Sequence, residues 1–218
     1  MTNDKESFIN KKIQEDLSPT RNLTGLHLKI VASIAIIWSL FQLWYASPFP
    51  FMFGVGLFKG LPARAIHLGF ALLLAFLIFP MTKKGKTGFI DIILACSAFL
   101  ACIYIYFFYD QIVDRGGILL DLDLNFLGSQ FVLPIELLIG TFGIFALLES
   151  TRRVIGIPLV IVAIAFLLFS FFGKYFPEII SHGGLSVRRL VGYHWFDQEA
   201  IFGIPISVSL DFIFLFVL

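Results

Sequence analysis

Charge is scarce in this sequence. Of 218 residues only 14% are Asp, Glu, Lys or Arg, and the formal net charge is +1, against about 25% charged residues in ordinary soluble domains. The basic residues lie scattered between apolar runs, so the chain offers no dense Lys/Arg surface on which to neutralise phosphates, and no nucleic-acid partner is expected. Cysteine is nearly absent. Cys96 and Cys102 fall in one apolar run, about 9 Å apart along a helix and pointing in different directions, so they cannot pair with each other. The first 25 residues are polar and contain no apolar core of a cleavable leader, which leaves the first membrane helix as the expected targeting signal. Catalytic signatures are missing as well. No HExxH, Cys/His metal spacing or Gly-x-Ser-x-Gly elbow occurs, and Gly85-Lys86-Thr87, which ends like a phosphate-binding loop, has Pro80 where that motif needs glycine. An enzyme is therefore not expected, nor an organic cofactor or a bound transition metal.

What fills the sequence is apolar. Hydrophobic residues make up 58%, Phe alone numbers 27, and the mean hydropathy is +0.91. These values identify an all-α integral membrane protein, a polytopic helical bundle whose partner is the lipid bilayer. About six transmembrane helices are predicted, over 28–47, 65–81, 89–109, 131–148, 154–172 and 201–218. Phe8, Ile9, Ile13 and Leu17 suggest an amphipathic surface helix in a cytoplasmic or interfacial segment 1–25. Residues 48–62, rich in Phe, Gly and Pro, read as an interfacial or re-entrant loop. The loop 110–130 is acidic, and 173–200 is a polar connection. Lys83, Lys84 and Lys86 follow the second span while Arg115 alone lies between the third and fourth, a basic-residue bias that places the N-terminus in the cytoplasm.

Two ionisable residues sit inside apolar spans, Glu136 and Asp211, and such residues are functional candidates because an unpaired charge in lipid is costly. Asp211 is the candidate substrate- or ion-binding residue. Glu136, in the first turns of its helix, is expected to reach the outer interface or to neutralise, and Asp91 to interact with the amide end of the third span. Gly156-Ile-Pro158 and Gly203-Ile-Pro205 mark expected interruptions of helix geometry. His27, His67, His182 and His194 raise a second class of function, a non-transporting membrane anchor of a haem-containing redox complex; His27 and His67, near the starts of spans running in opposite directions, are predicted near opposite faces.

Three stretches together resemble the fused membrane subunit of a tripartite ATP-independent periplasmic (TRAP) transporter: RAIHLGFALLLAFLIFP at 64–80, LESTRRVIG at 148–156 and AIFGIPISVSLDFIFLFVL at 200–218. The resemblance implies a four-helix Q-type membrane module over 26–149 and the start of an M-type permease domain over 150–218, the remainder of which is expected beyond Leu218. It further implies a secondary, ion-gradient-driven permease of a bacterial or archaeal cell (inner) membrane. Sodium is the implied coupling ion, and a periplasmic solute-binding protein the implied partner that delivers a small organic-acid-type solute. Asp211 stands where the family is expected to carry a small or hydroxyl-bearing residue.

Overall fold

The computed structural model describes residues 20, 23–58, 60–81, 88–126 and 129–217. The expected surface helix with Phe8, Ile9, Ile13 and Leu17, the lysine cluster and Gly85-Lys86-Thr87 lie outside these residues.

Long apolar runs dictate long helices, because a backbone in lipid must satisfy its own N–H and C=O groups. Helix α1 runs Gly25–Ala46 and a short α2 Phe49–Phe53. Helices α3, Gly60–Ile78, and α4, Phe89–Asp114, form the next pair. A hairpin of β1, Leu122–Phe126, and β2, Ser129–Leu133, precedes α5, Ile135–Val154. Helix α6, Ile157–Phe172, is followed by a 3-10 turn at Gly173–Tyr175 and by α7, Val187–Trp195. The final helix is α8, Ile204–Val208, a π-helical turn at Ser209–Ile213, and α9, Phe214–Val217. The molecule is 74% helical. Among the described residues, four helices are long and apolar enough to cross a membrane: α1, α3, α4 and α6 with its 3-10 turn.

Burial separates these helices. In α3, 67% of the apolar window is buried, in α6 only 6%. Helix α3 is therefore the axis of the bundle, and α6, apolar all round with no buried residue, is suited to a hydrocarbon environment rather than to water. Helices α3 and α4 pack through small residues. Ala65, Gly69, Ala95, Ala98 and Cys102 are all buried, and a Cβ on Gly69 would meet the Cys102 Cβ at 3.2 Å and the Phe99 ring at 3.2 Å. Small side chains let apolar helices approach closely where no hydrophobic effect drives them together.

Several boundaries differ from expectation. The helix that covers the fourth predicted span, 131–148, starts at Ile135, because β2 occupies the preceding residues. It continues to Val154, so Glu149, Arg152 and Arg153, between the predicted spans 131–148 and 154–172, form the last turns of α5, and the expected module boundary at 149 falls inside this helix. The acidic loop holds the antiparallel hairpin, with Leu122 opposite Leu133 and Asp123 opposite Val132. The polar connection holds α7, capped by the Ser186 hydroxyl accepting from Arg189 N at 3.3 Å. Both Gly-Ile-Pro motifs start helices, with proline in the first turn. Gly156, at φ 116° between α5 and α6, occupies backbone space that favours glycine. In the last predicted span, regular α-geometry breaks instead at Ser209–Ile213.

Candidate functional site

The polar side chains of the bundle gather into three clusters. At one end, Arg153 reaches from α5 to Asp91 on α4 at 2.7 Å and to Glu149 at 2.8 Å. It also donates to the Phe79 carbonyl at 3.2 Å and lies over the Phe76 ring at 4.9 Å. Arg152 pairs with Glu149 through two bonds of 2.8 Å. At this charged helix end, the hydrogen bond from Arg152 holds the Glu149 carboxyl below the ordinary carboxylate range, against the opposing effect of burial. Asp91, expected to interact with backbone amides, is thus an ion-pair partner that ties α4 to α5.

At the opposite end of α5, Glu136 is 1% exposed. Its carboxylate accepts from Tyr104 Oη at 2.9 Å, from Leu120 N at 2.6 Å and from Arg115. Expected at the outer interface or neutral, Glu136 has a guanidinium partner across the turn after α4. These two clusters consume their charges internally, which is the signature of structural ion pairs.

The third cluster differs. Helices α1 and α3 converge on the π-helical turn. Tyr45 Oη donates to Asp211 Oδ1 at 3.2 Å, and Ser207 Oγ to Oδ2 at 3.0 Å. Gln42, fully buried one helical turn before Tyr45, donates through Nε2 to the Leu210 carbonyl at 2.9 Å, while its Oε1 is buried without a hydrogen-bond partner. His67 accepts at Nδ1 from Trp38 Nε1 at 3.3 Å, which leaves its proton on Nε2 to be donated to Ser209 Oγ at 3.1 Å. Arg64 donates to the Phe202 carbonyl, just before the same helix, at 2.8 Å, and Trp38 packs on Phe214 with centroids 4.6 Å apart. Among the described residues no Lys, Arg or His forms an ion pair with Asp211. The two side chains that donate to its carboxylate are hydroxyls.

Sequence reading singled out Asp211 and His67 but not Gln42, Tyr45, Ser207 or Ser209. Gln42, a lone amide in an apolar run, was the one signal available; Tyr45 read as an interfacial ring. The histidines do not converge. His67 lies beside Trp38, about 16 Å along α1 from His27 by helical rise. His182 faces Phe169, and His194 bonds the Leu190 carbonyl at 2.8 Å. No group of three or more His, Cys, Asp or Glu side chains suited to a metal ion occurs among the described residues.

The helical bundle and its apolar exteriors define the class, an α-helical membrane protein. No protein-family model, curated protein or solved structure matches the chain.

Proposed function

We propose that this chain is the Q-type module and the start of the M-type domain of a fused TRAP transporter permease. It spans a bacterial or archaeal inner membrane about six times from a cytoplasmic N-terminus. The assembled permease imports a small organic-acid-type solute, delivered by a periplasmic binding protein and driven by a sodium gradient. The observation that carries the reading is that all three TRAP-like stretches meet in one bundle. Stretch 64–80 is the buried axis α3, 148–156 is the ion-paired junction of α5 and α6, and 200–218 contains the helix whose π-turn docks on α1 and α3. Secondary transporters place solute and ion sites where helices are interrupted within the membrane, and this last helix is both interrupted and carboxylate-bearing.

Proteoliposomes containing the permease of which this chain is part provide the test, with binding protein and a labelled organic acid outside and sodium directed inward. Accumulation requiring both sodium and the binding protein is expected. Uptake indifferent to both, or a haem Soret band in the purified protein, would overturn the reading, the latter in favour of a redox-complex anchor.

A further inference from the structure

Of the three polar clusters of the bundle, two balance their charge: Arg152 and Arg153 answer Glu149 and Asp91, and Arg115 answers Glu136. Asp211 has no such partner among the described residues. Its carboxylate is held by two hydroxyls, and beside it the Gln42 side-chain oxygen is buried with no donor. A carboxylate with no cationic partner and an amide oxygen with no donor are each expensive in an apolar helix pair, and both deficits have the same sign: each calls for positive charge. We propose that the π-turn of the last helix and the facing side of α1 form a binding site for a dehydrated monovalent metal cation of sodium's size. Its ligands are the Asp211 carboxylate, Tyr45 Oη, Ser207 Oγ and Gln42 Oε1.

The residue types suit that ligand. Hydroxyl oxygens carry lone pairs as well as a proton, so Tyr45 and Ser207 can turn from donating to the carboxylate to coordinating an ion beside it. A single carboxylate with neutral oxygens balances one positive charge and leaves a divalent ion under-compensated. The backbone contributes too. A π-turn departs from the regular hydrogen-bond ladder, and such turns recur at functional sites; here Gln42 Nε2 spans from α1 to the Leu210 carbonyl within it. That bond fixes the amide so that its oxygen, not its nitrogen, remains available. His67 stays outside the ligand set, its ring held between Trp38 and Ser209.

This site deepens the permease reading by naming where an ion binds, and the two can fail separately. In lipid nanodiscs at fixed pH and ionic strength, thermal unfolding of the chain should shift upward and saturate as sodium chloride replaces choline chloride, because a ligand bound only by the folded state stabilises it. Asp211→Asn, nearly isosteric, should raise the half-saturating sodium concentration about tenfold or more by removing the charge opposite the ion. Tyr45→Phe, which removes one ligand oxygen and no charge, should raise it by a smaller factor and decides the matter if Asp211→Asn does not fold. Equal responses to sodium and choline in the unaltered chain overturn the site, as does an unchanged sodium response in the folded variants. Sodium-driven uptake that persists in Asp211→Asn without a sodium shift removes the site and leaves the permease reading. Saturable sodium binding in a protein that transports nothing does the reverse.

Discussion

At the scale of single residues, Arg153 shows how a charge survives in this bundle. Its side chain is 1% exposed and its partner Asp91 5%, so removing the guanidinium takes a buried charge partner away from the carboxylate. Arg153→Met should cost about 3–5 kcal/mol of stability, read as a lowered midpoint of denaturant unfolding in detergent. The double variant Arg153→Met, Asp91→Asn should recover part of that loss, since the side chain that lost its ion pair is then neutral; strict additivity would contradict the pairing. Arg188 and Asp121 make the opposite case. Their side chains are 44% and 32% exposed, and Arg188→Ala should change stability by no more than about 1 kcal/mol. These roles were only half legible. That Glu136 and Asp211 needed partners follows from their apolar surroundings, and Glu149 and Arg153 stand at the local i,i+4 spacing, but Arg153's buried partner Asp91 lies 62 positions away on α4, and no local pattern encodes that pair.

At the scale of elements, hydropathy located the helices because lipid permits few alternatives to them. The ends were harder, since they are decided by contacts. The alternation of Leu122, Leu124 and Phe126 was a period-two signal for the hairpin, hidden inside an acidic loop. Helix α7 is too short and polar to register as a span. Its docking was written in Gly140 and Gly143, which clear one face of α5 for Val191 and the fully buried Trp195. A Cβ on Gly143 would overlap the Trp195 indole. Gly143→Val should therefore displace the indole and destabilise by about 1–3 kcal/mol, the cost of overpacking a filled core. A red shift of tryptophan emission is the direct readout, and an unshifted spectrum with unchanged stability would argue against this packing. Gly156→Ala tests the other junction, where φ 116° should cost about 1–3 kcal/mol through backbone strain.

At the scale of the whole molecule, the proposed transport depends on direction. The Arg152–Arg153 end of α5 must face the cytoplasm, and the hairpin, α7 and the Glu136 cluster must face the side from which a binding protein would deliver solute. The charge pattern that predicts this is a kinetic record of insertion, not a property of the folded contacts, so the packing of α3 against α4 and α5 is the same whichever way the bundle points. Site-specific labelling separates the two directions. In a background with Cys96 and Cys102 replaced, Lys84→Cys and Asp121→Cys are each exposed to a membrane-impermeant maleimide in intact cells. The account predicts labelling at 121 and labelling at 84 only after the membrane is opened. Labelling of both positions in intact cells, or of 84 alone, would contradict it.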